Sequence, residues 1–263
     1  MYQQKDIHTV LIAGSGVMGA SFAQIFARHN YQVILYDIVD TALEKAKHLI
    51  TINQQAEIDQ GNLTRAQSED LLSRIRYTVS KDCFSQADFV LEAIAERMEI
   101  KHVFWSELSK AVREEAILAT NTSGLSISEI GRAVWKPERF AGMHWVNPPH
   151  LIPLVEVIAG EKSAEETIKT VYDVALSLGQ KPVKVHKDPP GFILNRLQYA
   201  VVREACHCVE QGYASIEDVD NVMKYGLGLR YAAIGPFETM DFGGLDIFNH
   251  VGSYLFDQLS KEG

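Results

Sequence analysis

Short apolar runs alternate with longer amphipathic stretches over most of the chain, and their two periods predict two kinds of element. Residues 10–13 (VLIA) read as a strand, a glycine cluster follows at once, residues 21–29 have helical character, and residues 33–36 (VILY) read as a second strand, which makes one βαβ unit. A long polar helix is predicted over residues 40–60. Gly61 breaks it, and the helical pattern resumes over residues 64–74 with Thr64 as N-cap and Gln67 at the capping-box position. Strand patterns return at residues 75–79, 88–94, 116–120, 140–144, 154–158 and 182–186, with helices such as 101–112 between several of them. Alternation of this kind predicts an α/β fold with a doubly wound, mostly parallel sheet. After DPPGF (residues 188–192) the pattern is helical throughout, over residues 193–210, 215–224 and 245–259. The expected organisation is therefore an α/β domain over residues 1–187 and an all-helical C-terminal domain over residues 188–263. Leu194, Leu197, Ala200 and Val201 form an apolar stripe in that second domain, available to its own core or to a second subunit.

Composition narrows the partners more than the fold. Of 263 residues, 46% are hydrophobic and 22% charged, an ordinary globular balance that can fill a core. No run approaches the roughly 20 apolar residues of a membrane span, and the opening MYQQKDIHTVLIAGSG enters a strand without a cleavage pattern, so a cytoplasmic protein is expected. A formal charge of -9 argues against nucleic acid. The cysteines are three, Cys83, Cys206 and Cys208, and the last two stand two apart in a helical pattern where they share no face, so reduced thiols are expected.

The glycine cluster is Gly14-Ser15-Gly16-Val17-Met18-Gly19, a G-x-G-x-x-G between a strand and a helix, and Asp37 closes the next strand eighteen residues later. The first glycine allows a tight turn and the second a close approach of backbone to a pyrophosphate. The third lets helix and strand pack, and the helix N-terminus offers free N–H groups to the anion. An acid at Asp37 suits the ribose hydroxyls of NAD. It would repel the 2′-phosphate of NADP, and Ile38-Val39 supplies no arginine to offset that repulsion. The reading is a Rossmann-type NAD-binding domain.

A nicotinamide cofactor takes hydride from a carbon bearing a hydroxyl, and the hydroxyl proton needs a base. Residues 140–158 (FAGMHWVNPPHLIPLVEVI) embed one histidine, His144, and one carboxylate, Glu156, in otherwise apolar strands. Buried ionisable groups need a partner or a task. On neighbouring strands the two side chains can meet, the carboxylate fixing the imidazole tautomer. The alternative is a surface histidine and an unrelated edge-strand glutamate.

With these residues in place, the chain resembles the 3-hydroxyacyl-CoA dehydrogenase family along essentially its whole length. The similarity lies in the glycine motif, Asn121-Thr122-Ser123, Gly142-Met143-His144-Trp145-Val146-Asn147-Pro148, Leu154-Val155-Glu156-Val157 and Gly191-Phe192-Ile193-Leu194-Asn195-Arg196. The resemblance implies an NAD domain followed by a helical domain for substrate closure and dimerisation, hence a homodimer, and NAD-dependent oxidation of an L-3-hydroxyacyl thioester such as 3-hydroxybutyryl-CoA. It implies His144 as base, Glu156 as its orienting carboxylate, and Ser123 and Asn195 as groups holding the reacting oxygen and the substrate carbonyl region. It places Glu96 and Lys101 near the nicotinamide ribose and substrate; Glu92, in the preceding strand, competes with Glu96 for a ribose contact.

Other stretches are similar to the lambda-crystallin and L-gulonate dehydrogenase branch of the same superfamily, notably Gly226-Leu227-Gly228-Leu229-Arg230-Tyr231 and Ile234-Gly235-Pro236-Phe237-Glu238. Thioester enzymes usually place lysines for the CoA phosphates near the end of the long helix after the second strand, whereas residues 54–62 here are QQAEIDQGN. Lys45 and Lys47 lie earlier on that helix and could serve instead, or could be solvated helix lysines. Arg230, in a loop between helical segments, would suit a free carboxylate bidentately. Gly124 stands where many members carry serine, and members usually continue beyond the position of Gly263. The leading expectation is a short-chain thioester such as 3-hydroxybutyryl-CoA, with a free 3-hydroxy acid such as gulonate or carnitine, or a relative that binds NAD without turnover, as the alternatives.

Overall fold

In a computed structural model that describes residues 1–261, the first apolar run forms β1 (Thr9–Ala13), whose side chains alternate between two cores. Val10 and Ile12 enter one, Leu11 and Ala13 the other. The chain continues through α1 (Val17–Arg28), β2 (Gln32–Tyr36), α2 (Asp40–Asp59), α3 (Arg65–Ser73), β3 (Ile75–Thr78), β4 (Phe89–Glu92), α4 (Met98–Ala111) and β5 (Ile117–Thr120). It then forms α5 (Ile127–Gly131), β6 (Phe140–Trp145), β7 (Leu154–Ile158), α6 (Glu165–Ser177) and β8 (Lys181–Val185). The eight strands make one sheet in the order β3-β2-β1-β4-β5-β6-β7-β8. Every neighbouring pair is parallel except β6 and β7, so the last two strands run against the others.

One core packs α1, α2, α3 and α6 on one face of the sheet, through Phe22, Phe26, Ile50, Leu71 and Val174. The other packs α4 and α5 on the opposite face, through Trp105, Leu108, Ile127 and Ile130. Strands covered on both faces need apolar residues at successive positions, and the six residues of β6 are all buried. The capping box expected at Thr64 and Gln67 forms, with the Gln67 N–H donating to the Thr64 hydroxyl at 3.2 Å.

Two compact units result, Met1–Ile193 and a second from Leu194 onward. The DPPGF stretch thus stays with the first unit: the Asp188 carboxylate accepts from the Ser126 hydroxyl and the Ser128 N–H, and Phe192 is fully buried. The second unit holds α7 (Leu194–Glu210), α8 (Ile216–Val222), a π-helical turn (Met223–Gly228), α9 (Leu229–Tyr231), α10 (Pro236–Gly243) and α11 (Leu245–Leu255). Ser215 caps α8, and the Glu238 carboxylate accepts the Gly235 N–H at the start of α10. Among its described residues only Gly252 and Ser260 are buried, while Leu197, Tyr225, Phe237, Phe242 and Phe256 are mostly exposed. The stripe containing Leu197 and Val201 therefore does not close a core inside this unit.

Candidate active site

The turn between β1 and α1 is built so that only glycine fits. Gly14 has φ +100°, and a Cβ there would lie 2.5 Å from the Ala93 carbonyl oxygen; a Cβ on Gly19 would lie 1.8 Å from the Gly14 oxygen. At Gly16, the N-cap of α1, a Cβ would meet nothing within 4 Å, so the backbone there faces open space. Val17 and Met18 follow in the first turn of α1, whose N–H groups lack intrahelical partners. At the end of β2, Asp37 leans over this turn: its Oδ2 accepts the Ser15 N–H and the Ser15 hydroxyl, each at 2.8 Å, and its Oδ1 accepts the Val39 N–H.

Beyond the ends of β4 and β5 lies a second polar group. Glu92, the last residue of β4, is fully buried, and its carboxylate accepts from Lys101 Nζ at 2.5 Å, Thr120 Oγ1 at 2.7 Å, Ile94 N at 2.9 Å and Trp105 Nε1 at 3.2 Å. Glu92 is thus enclosed by four donors, whereas the Glu96 side chain is partly exposed. Lys101, which a solvated helix face would have exposed, is 1% exposed because α4 begins at Met98 and turns it inward. Its ammonium also stands 3.2 Å from Glu96 Oε2. Glu96 in turn accepts the Thr122 hydroxyl at 2.5 Å and the Ser123 N–H at 2.9 Å. Burial alone would raise the Glu96 pKa, but the Thr122 hydroxyl, the Lys101 charge and the Ser123 N–H outweigh it and bring the carboxyl below its ordinary value. Ser123 is exposed on the loop after β5, and Asn121 ties that loop to β6 by accepting the Trp145 N–H at 2.9 Å.

Next to Trp145, His144 stands directly opposite Glu156 in the one antiparallel pair of the sheet. His144 Nδ1 is 2.8 Å from Glu156 Oε2, with the imidazole 7% and the carboxylate 1% exposed. The other carboxylate oxygen, Oε1, accepts the Ile193 N–H at 2.9 Å. An ionised carboxylate only accepts, so Nδ1 carries a ring proton, and in the neutral imidazole Nε2 then keeps its lone pair. That arrangement can take a proton at Nε2 and stabilise the resulting imidazolium through Glu156. Phe192, held at φ +52°, lies against the imidazole with ring centroids 5.7 Å apart. A left-handed backbone is unfavourable for phenylalanine, and here it coincides with the ring that covers the histidine.

Residues 9–189 match the model for 3-hydroxyacyl-CoA dehydrogenase, NAD binding domain, and residues 191–263 match that for 3-hydroxyacyl-CoA dehydrogenase, C-terminal domain. The chain belongs to the 3-hydroxyacyl-CoA dehydrogenase family. It is 39% identical to the 5-formyl-3-hydroxy-2-methylpyridine 4-carboxylate 5-dehydrogenase of Mesorhizobium japonicum, over 97% of this chain and 82% of that protein. A crystal structure of an enzyme of that name superimposes with a TM-score of 0.88 at 37% identity, covering 98% of this chain and 82% of the other. A probable 3-hydroxybutyryl-CoA dehydrogenase of Deinococcus radiodurans is 37% identical, over 89% of this chain and 83% of its own length. The human lambda-crystallin homolog is 35% identical, over 93% and 77%.

As a member of this family the chain is an NAD-dependent oxidoreductase. NAD when bound supplies the hydride acceptor. The turn fits it: open backbone at Gly16, the α1 N-terminus and the Asp37 carboxylate stand together where a dinucleotide's phosphates and adenosine ribose would lie. Replacing Asp37 with alanine should weaken NAD about tenfold, because it removes a carboxylate that would accept from the ribose hydroxyls and frees the Ser15 turn, and it should narrow the preference over NADP. Titration with both dinucleotides checks this.

The remaining expected site residues lie in the second unit. Asn195 is half-buried in the first turn of α7, and Arg230 is exposed on α9, so it is helical where a loop was expected; the π turn before it carries the helix of α8 onward. Residues 54–62, around the end of α2, carry no lysine or arginine. That stretch borders a cleft of about 760 Å³ lined by Gln24, Asn53, Gln54, Gln60 and Asn62. Arg28 is the only lysine or arginine among the described residues of its wall, and it is paired with Glu57 at 3.0 Å. Lys45 and Lys47 are exposed and do not line the cleft. Pattern reading missed Thr120, Trp105 and Phe192; the visible signal was a glutamate ending an apolar strand, FVLE, which has to find donors.

No helix among the described residues is long and apolar enough to cross a membrane.

Proposed function

We propose that the chain catalyses the reversible, NAD-dependent oxidation of a hydroxyl-bearing carbon in a small substrate that carries its own carboxylate. The observation that carries the reaction is the His144–Glu156 pair, buried and in register. His144 Nε2 takes the hydroxyl proton, Glu156 holds the imidazolium, and the Ser123 hydroxyl with the Asn195 amide binds the substrate oxygens, each such donor contributing about 3 kcal/mol to the transition state. Arg230 engages the carboxylate. Support for a free acid comes from the α2 cleft, whose described lining holds one arginine, paired with Glu57, and no lysine, and from the pyridine carboxylate dehydrogenase among the relatives.

A second reading is a short 3-hydroxyacyl-CoA such as 3-hydroxybutyryl-CoA, favoured by the Deinococcus relative. Loss of NADH absorbance with acetoacetyl-CoA, set beside free 3-keto acids and formylpyridine carboxylates, separates the two. We expect kcat/KM for a free acid to exceed that for the thioester at least tenfold, with Arg230→Ala raising KM for the acid about tenfold. Faster turnover of acetoacetyl-CoA, indifferent to Arg230, would establish the thioester instead.

The apolar side chains left exposed by α7, α10 and α11 favour a homodimer formed through the helical unit that begins at Leu194, with the preceding unit as the NAD domain. Light scattering after gel filtration should give twice the chain mass at micromolar concentration, and a monomer would refute the pairing.

A further inference from the structure

One ammonium serves two carboxylates beyond β4. Lys101 Nζ is 2.5 Å from Glu92 and 3.2 Å from Glu96, so the three side chains together carry one net negative charge. Glu92 and Lys101 are buried, whereas the Glu96 side chain is 42% exposed, and the surplus charge therefore has its outlet at Glu96. Neutralising Lys101 needs one carboxylate, which Glu92 supplies with Thr120, Trp105 and Ile94 as further donors. Glu96 is left over by that count, yet the Thr122 hydroxyl and Ser123 N–H hold it ionised.

Strand order shows what passes this charge. The phosphate-binding turn follows β1, the base stands on β6, and β4 and β5 lie between them. Three strand spacings of about 4.8 Å separate the two ends. A dinucleotide anchored at the first and reacting beside the second has to cross the ends of β4 and β5, where Glu96, Thr122 and Ser123 are. The nicotinamide ring is cationic when oxidised and neutral when reduced, so a fixed carboxylate on that path distinguishes the two forms.

We propose that the Glu92–Lys101–Glu96 group sets the redox preference of the cofactor site, with the negative charge at Glu96 favouring oxidised over reduced cofactor and with Glu92 and Lys101 acting as positioning residues. The bound couple becomes a stronger hydride donor, and NADH formed in the oxidative direction is held less tightly than NAD+. This rests on the reading of His144 as the base beside which the nicotinamide reacts.

Dissociation constants for NAD+ and NADH, measured by calorimetric titration of the full chain, test it without reference to turnover. Glu96→Gln should weaken NAD+ about five- to tenfold and change NADH less than about twofold. Equal changes in both constants, or none in either, would overturn the proposal. Glu92→Gln should move the NAD+/NADH ratio in the same direction by about two- to threefold; an unaltered ratio in a folded but less heat-stable variant would confine Glu92 to stability and remove it from the proposal. If Glu92→Gln does not fold, the Glu96 variant decides alone. The reading of the base is tested separately by the activity of a His144 variant, so its failure is distinguishable from failure of the charge effect.

Discussion

Replacing His144 with alanine is expected to lower kcat about 10³-fold and to leave NADH binding within about twofold. The two effects separate because the imidazole belongs to β6, three strands away in the sheet from the glycine turn after β1. Alanine also removes the Nδ1–H donor from the Glu156 carboxylate, 1% exposed, and losing a hydrogen bond to a buried charged group costs about 1.5–3 kcal/mol. His144→Gln is the cleaner probe: an amide N–H can still serve Glu156, so folding is kept, but no group remains to take a proton at neutral pH. Steady-state kinetics together with dinucleotide titration on both variants checks the expectation. Activity within tenfold of the parent chain in His144→Gln would remove histidine from the role of base.

Glu156→Gln is expected to cost about 10²- to 10³-fold in kcat with little change in substrate KM. The substitution is nearly isosteric, and the amide oxygen can still accept the Ile193 N–H. What it alters is the histidine. An amide N–H turned toward Nδ1 favours the tautomer with its proton on Nε2, which cannot accept one, and it withdraws the negative charge that stabilises the imidazolium. A melting temperature within a few degrees of the parent, beside a large loss in kcat, is the expected signature. A large fall in stability with kcat retained would make Glu156 a structural residue.

Much of this site is legible in the amino-acid sequence, for physical reasons that differ by residue. Gly14, Gly16, Gly19 and Asp37 are readable because each has a backbone or charge requirement at a fixed spacing, and the structure shows the collisions that forbid a side chain at Gly14 and Gly19. His144 and Glu156 are readable because charge inside apolar strands needs a reason. Their register is not, since pairing of β6 with β7 depends on a loop that reverses the chain in an otherwise parallel sheet.

Lys101 shows the limit in the other direction. A lysine in the sequence MEIKHVFW looks solvated, and only the start of α4 and the depth of Glu92 turn it inward. Arg230 looks like a loop residue because Gly226 and Gly228 precede it as helix breakers, yet the chain passes them as a π turn. Helices α6 and α10 lie in stretches to which the residue pattern assigns no helix of its own. Glu165 and Glu166 in the first turn of α6 and Pro236 at the start of α10 were their available signals.

A double-mutant cycle on kcat decides whether His144 and Glu156 act as one unit in proton transfer. With His144→Gln, Glu156→Gln and the two combined, the double variant is expected to be no slower than His144→Gln alone, as a carboxylate acting only through the imidazole requires. Losses that multiply across the two sites would contradict it and would give Glu156 an independent part in the reaction.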